Sequence, residues 1–159
     1  MGACRRLLPA LLGALALAGC ATTGFPVPRG EGVTCLGITY RVAGVCWAHR
    51  IQTGSGPALP AYGFLLVEVE LTNARQSELP AEWLPKLCLV DEHEEVLPAS
   101  PLSAAIPGGL RPAAQSWRPG QTLRGTVVFD APQVLYWLQP EGCSRMVLDN
   151  WWPECIDGA

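Results

Sequence analysis

Residues 62–73 read Tyr-Gly-Phe-Leu-Leu-Val-Glu-Val-Glu-Leu-Thr-Asn, and no other stretch of the chain constrains the fold as tightly. With a side-chain period of two, Leu65, Val67, Val69 and Leu71 share one face of an extended strand, while Glu68, Glu70 and Thr72 share the other. Wound into a helix, the same four apolar residues would scatter around the circumference. The strand is therefore half-buried, and the rest of the chain has to supply a layer that covers it.

Short alternating runs separated by turn residues recur downstream, which argues for an all-β sandwich. Residues 38–42 and 45–51 look like two paired strands around an Ala43-Gly44 turn, followed by a loop over 53–61. A linker over 74–85 has room for one helical turn at Pro80-Ala81-Glu82-Trp83. Residues 86–91 and 96–99 form a hairpin around the acidic Glu92-His93-Glu94-Glu95 turn. The stretch 100–115 is the longest irregular segment. Pro119-Gly120 then turns the chain into a strand over 121–130, with Leu123, Val127 and Phe129 facing inward, and 134–138 forms a further strand. With no internal repeat and no second composition regime, one domain spanning 33–159 is expected.

Ahead of that domain, Arg5-Arg6 precedes an apolar run over 7–18 and the small residue Gly19. This is the layout of a secretory signal peptide. The run has 12 residues, short of the roughly 20 that a spanning helix needs. Leu17-Ala18-Gly19-Cys20 resembles a bacterial lipobox at all four positions. That resemblance implies cleavage before Cys20, a diacylglycerol on its thiol and usually an amide-linked third chain, and two or more chains make stable anchors. Arg5-Arg6 lacks the neighbours of a twin-arginine signal. Ala21, in place of Asp, resembles outer-membrane sorting in a two-membrane cell. The expected arrangement is a signal peptide over 1–19, a lipidated Pro-, Gly- and Thr-rich flexible tether over 20–32, and a domain held at the periplasmic face of the outer membrane or at the cell surface.

Removing residues 1–19 leaves 140 residues, enough to bury a core, with nine basic against 14 acidic side chains. A net charge near −5 without a basic run gives nucleic acid nothing to bind and leaves anchoring to the lipid. Five cysteines remain besides Cys20, in a compartment where disulfides persist. An odd number leaves the connectivity open. Cys143 and Cys155 flank a short segment whose closure would contribute about 3 kcal/mol, and Cys35–Cys46 is the next pair. A tight turn at Ala43-Gly44 would, however, place Cys46 opposite Arg41, so that second bridge would need a longer loop or a bulge. Cys88, between Leu87 and Leu89, reads as a free, buried small hydrophobe.

Three segments resemble, in order and spacing, the telokin-like, immunoglobulin-fold domain of bacterial lipoproteins of unknown function. They are the strand over 64–73 ending in Asn73, the run Leu87-Cys88-Leu89-Val90-Asp91-Glu92, and the stretch over 119–132 from Pro119-Gly120 through Gly125 and Phe129 to Pro132. The resemblance covers residues 62–138, about half the mature chain. The turn after Asp91 departs from it by lacking a glycine, and the cysteine-bearing ends lie outside it. It implies an immunoglobulin-like antiparallel β-sandwich and assigns no activity. The motif residues have architectural readings. Pro119 presets the turn, Gly120 frees its backbone, Gly125 relieves crowding and Pro132 ends the ladder.

The spacing of the candidate residues assembles no familiar catalytic constellation. His49 and His93 are the only histidines and form no His-Glu-x-x-His. Gly54-Ser55-Gly56 is not a nucleophile elbow, and Lys86, the only lysine, sits in no phosphate loop. No Cys-x-x-Cys occurs, and Glu68 and Glu70 read as a solvated strand face. No catalytic residue, metal or cofactor is expected. Six tryptophans are many for a domain of this size. Trp83, Trp117, Trp151 and Trp152 are the candidates for an interaction patch, since Trp is enriched at binding hot spots. The leading expectation is a non-catalytic envelope lipoprotein whose sandwich docks a protein partner or stabilises an assembly. The alternatives are a small-ligand or glycan-binding lipoprotein using exposed tryptophans, and an enzyme of unrecognised type.

Overall fold

A computed structural model of the protein describes residues 30–148 and 152–155. Its strands are β1 (Gly32–Cys35), β2 (Ile38–Ala48), β3 (Ile51–Thr53), β4 (Gly56–Ala58), β5 (Phe64–Asn73), β6 (Leu87–Asp91), β7 (Val96–Pro98), β8 (Thr122–Asp130), β9 (Tyr136–Pro140) and β10 (Met146–Val147). One sheet has the order β1-β2-β5-β8 and a second the order β10-β9-β6-β7, while β3 and β4 form a separate hairpin. Every pairing between these strands is antiparallel. The expected all-β fold, an antiparallel β-sandwich, is the fold observed.

Strand β5 sits at its centre, between β2 and β8. Leu65, Val67, Val69 and Leu71 are buried in the core between the sheets, where they join Leu87, Leu89, Leu138 and Met146 of the second sheet. On the outer face Glu70 is flanked by Arg41 of β2 at 3.1 Å and Arg124 of β8 at 3.0 Å, a solvated charge ladder across three strands. The upper end of the same face is not solvated. Phe64, Leu66, Ala48, Ile51, Ile106 and Val128 make a second, smaller core there, under the β3–β4 hairpin and the segment after a 3₁₀ turn at Pro101–Ala104.

The expected pair of strands around Ala43-Gly44 is instead the single strand β2. Its register against β5 slips between Val42 and Gly44, leaving Ala43 as the extra residue of a β-bulge. The bulge changes the phase of the strand. Ile38, Tyr40 and Val42 point inward at even numbers, Val45 and Trp47 at odd ones, and all five are buried. The hairpin turn lies earlier, at Leu36-Gly37, where both residues have positive φ (51° and 80°). Leucine is an unusual first residue for such a turn. Arg75 holds it by donating Nε and Nη2 to the Leu36 carbonyl at 3.1 and 2.7 Å.

The linker over 74–85 holds a hydrogen-bonded turn, Trp83 N to Pro80 O at 3.1 Å, and no helix. The Glu92–Glu95 hairpin and the strand after Pro119-Gly120 are present as expected, the latter with Gly120 at φ +73°. A Cβ on Gly125 would lie 2.5 Å from the Leu110 Cα, so the chain crosses there too closely for any side chain. The irregular stretch over 100–115 covers the outer edge of β8. Leu110 N donates to Thr126 O (2.9 Å), Thr126 N to Gly108 O (2.9 Å), Ser100 N to Val128 O (2.7 Å) and Val128 N to the Ser103 hydroxyl (2.9 Å). An edge strand with its ladder groups satisfied this way offers no template for pairing with another chain.

All four cysteines expected to be bridged are bonded, in a different pairing. Cys35 joins Cys143 and Cys46 joins Cys155, across sequence separations of 108 and 109. Both expected local pairs are thus replaced by bonds that tie the start of the fold to its end. The reason is topological. β1 and the loop after β9 meet at one side of the sandwich, while the last described residues run beside β2, with Trp47 N donating to Pro153 O (2.9 Å) and Cys155 N to Trp47 O (2.8 Å). Cys88 is free, half-buried and on the outer face of its sheet rather than in the core.

Candidate functional site

The lipobox residues Leu17, Ala18, Gly19 and Cys20 lie outside the described residues, as does Trp151. The remaining tryptophans of the expected interaction patch do not form one. Trp117 is fully buried, its indole N–H donating to Gln121 O at 2.7 Å and its backbone paired both ways with Leu79. Trp83 is half-buried and packs on Trp117 with ring centroids 5.7 Å apart. Trp152 is buried between Trp47 (5.9 Å) and Tyr136 (6.2 Å) in a three-ring stack. Trp117 and Trp152 are thus packed into the sandwich, with Trp83 lying against the first of them.

Asn73, read from sequence only as the end of a strand, organises the loops around Trp117. It is fully buried, and its side chain donates to Ser77 O (3.0 Å) and Trp117 O (2.8 Å) while accepting from Arg75 N (3.0 Å). Its backbone adds bonds to Gly120 N (2.7 Å) and Gln121 O (3.0 Å). A buried amide with both donors and its carbonyl oxygen engaged is a structural post.

The titratable groups are dispersed. His49 faces Glu154 at 3.7 Å and His93 faces Asp91 at 3.8 Å, both on the surface. Among the described residues no three His, Cys, Asp or Glu side chains gather as a metal site would require. Burial, and after it Glu141, pushes the Cys88 thiol up, with Arg145 opposing. The thiol donates to Gln139 O at 3.2 Å. A thiol raised this way stays protonated and is a poor nucleophile near neutral pH. Across the same face Arg145 lies 5.8 Å from the Trp137 ring centre and grips Glu94 with both Nη atoms, and this bond holds the Glu94 carboxyl below its ordinary range.

Among the described residues a mostly apolar concavity lies at the seam where β7 of one sheet and β8 of the other face each other without a bridge. It measures about 330 Å³. Its floor is the sandwich core itself, through Leu87, Leu110 and Val127, and its walls include Leu84, Pro98 and Pro101. Lys86 is the single charged residue lining it. Of the wall serines, Ser103 Oγ donates to Ser100 O (2.8 Å) and accepts from Val128 N, while Ser100 Oγ accepts from Leu102 N (3.3 Å). Sequence reading missed this groove because it joins four separate segments, none with a motif of its own.

The fold and its closures define the class: an antiparallel β-sandwich with two disulfides, which point to an oxidising location. No family model matches the chain, and no curated protein does. Among solved structures it is similar to a conserved hypothetical protein from Bacillus anthracis, with a TM-score of 0.63 and 15% identity over 77% of this chain and 95% of that one. It is also similar to the yjhA protein from Bacillus subtilis, with a TM-score of 0.51 and 16% identity over 70% of this chain and 78% of that one. An uncharacterized β-sandwich protein from Clostridium difficile 630 has a TM-score of 0.51 and 10% identity over 77% of this chain and 93% of that one. At such identities the likeness is one of fold. Among the described residues no helix is long and apolar enough to cross a membrane.

Proposed function

We propose that this chain is an exported, non-catalytic lipoprotein held to the cell envelope through acylated Cys20. Its sandwich, on this reading, is a protein-interaction or envelope-assembly module of the telokin-like, immunoglobulin-fold kind. The observation that carries the proposal is the pair of disulfides, Cys35–Cys143 and Cys46–Cys155, set behind a lipobox-like Leu17-Ala18-Gly19-Cys20. Such bonds persist where thiols are not kept reduced, which is where a signal of that form delivers its passenger. The three segments of the family resemblance fall on β5, β6 and β8, the strands around which the two sheets are built. The scattered histidines and the protonated Cys88 favour binding over catalysis. The partners proposed are the membrane, through the lipid, and a protein; a net charge near −5 after cleavage speaks against nucleic acid.

The test is metabolic labelling with a palmitate analogue in a bacterium expressing the full chain, wild type against Cys20→Ala, with membrane fractionation. Label and membrane recovery that both depend on Cys20 are expected. Their survival in the variant would refute the anchor.

A further inference from the structure

We propose that the groove between β7 and β8 binds the chain of a free long-chain fatty acid, with Lys86 pairing its carboxylate. The site goes beyond the interaction role above, and it does not use the tryptophans expected to hold a ligand.

Three observations select that ligand. The floor and walls are mostly apolar, and of the polar residues besides Lys86 the Ser103 hydroxyl is taken up by Ser100 O and Val128 N, while the Ser100 hydroxyl accepts from Leu102 N. A polar ligand such as a sugar would lose its water over most of that lining and gain few partners. The size fits one chain. A methylene takes up about as much space as a water molecule, roughly 30 Å³. The groove's volume of about 330 Å³ therefore takes on the order of ten of them, a length of one long chain and not the whole of it. The charge is complementary as well. Lys86 is the only cationic residue lining the groove, and its ammonium is exposed, held only loosely by Glu141 at 3.9 Å. An anionic head on an apolar chain matches this layout, and a fatty acid supplies both.

The groove can exist without a ligand because its lips are fixed independently. The 100–110 segment is hydrogen-bonded along the β8 edge, and β7 is paired to β6 through Pro98, Leu97 and Val96. Neither wall depends on an occupant for its shape, so the site is preformed and ligand entry orders little else.

The experiment uses the full-length protein in bacteria fed a fatty acid that carries a diazirine and an alkyne. After irradiation, adducts are mapped by peptide mass spectrometry, where the added mass tells a free fatty acid from a phospholipid or from the protein's own lipidated N-terminal peptide. Free-acid adducts are expected on peptides carrying residues 84–87, 98–104 or 110. Ala99→Trp, which displaces the equivalent of two or more buried methylenes, should lower their yield about tenfold or more. Lys86→Glu, an exposed change that leaves the core alone, should lower it about twofold to fivefold. Adducts only outside the groove, adducts of phospholipid or of the Cys20 peptide in it, or yields unchanged in both variants would each overturn the proposal. Whether Cys20 itself takes up label is read from the same spectra, so a failed anchor and a failed groove are told apart.

Discussion

Replacing Cys46 and Cys155 by serine removes one of two closures whose effects on the unfolded chain are not independent. Taken alone, a bridge across a separation of 108, like Cys35–Cys143, restricts the unfolded chain by about 4.8 kcal/mol in the loop-entropy picture. Once it exists, Cys46 and Cys155 are no longer 109 residues apart in effect. The short way round runs through residues 35–46 and 143–155, roughly two dozen residues, and closing that ring is worth about 3.4 kcal/mol. The crossed pairing therefore predicts that loss of either bridge costs about 3.4 kcal/mol, and loss of the remaining one about 4.8 kcal/mol more. Together these approach the whole stability of an ordinary domain, so the variant lacking all four cysteines should be largely unfolded. Urea denaturation followed by tryptophan fluorescence measures each step, and non-reducing peptide mapping reads the bonds directly. Local Cys35–Cys46 and Cys143–Cys155 bridges would instead give two independent losses of about 2.8 kcal/mol each. Equal, additive losses, or a linked peptide joining Cys35 to Cys46, would refute the reasoning.

Deleting Ala43 should cost far more than an exposed alanine suggests. The deletion removes the bulge and turns either Val45 and Trp47 or Ile38, Tyr40 and Val42 toward solvent, so loss of cooperative unfolding by circular dichroism is expected. Asn73→Ala leaves Ser77 O, Trp117 O and Arg75 N without their partner and should lower stability by about 2–4 kcal/mol in denaturant titration, without changing the disulfides. Arg145→Ala should raise the Glu94 pKa toward the ordinary carboxylate value near 4.3, as read by carboxyl NMR titration. Because the folded pKa of Glu94 is depressed, its pairing stabilises the fold above the unfolded value. That contribution fades as pH falls through the folded one, and the variant should lose this acid dependence.

The parts of the fold that were legible are those where one strand carries its own evidence. β5 alternates from Val67 onward, and its outward Glu70 finds partners on both neighbouring strands. β2 was read as two strands because a bulge and a turn look alike in one dimension: both place small residues at a change of phase, and only the partner strand tells them apart. The β1–β2 hairpin escaped because Leu36-Gly37 lacks the asparagine or aspartate that marks such turns, its stability coming from Arg75, 39 residues away. Trp117 lies in a polar, proline-flanked stretch that reads as exposed loop. What buries it is pairing with Leu79 and the hydrogen bond from Asn73. Cysteine pairing followed tertiary closure and not proximity, and the groove belongs to no single segment. Local pattern thus specified the strands, while contacts between distant residues decided the site.

The central claim is an exported sandwich anchored by lipid on Cys20, and the mature N-terminus tests it most directly. Protein recovered from the membranes of cells expressing the full chain would be analysed by intact mass and N-terminal peptide mass spectrometry. The account predicts a chain that begins at Cys20, carries a diacylglycerol and an amide-linked acyl group, and includes both Cys35–Cys143 and Cys46–Cys155. A chain that retains Arg5 and Arg6, or one cleaved elsewhere with an unmodified Cys20, would contradict it.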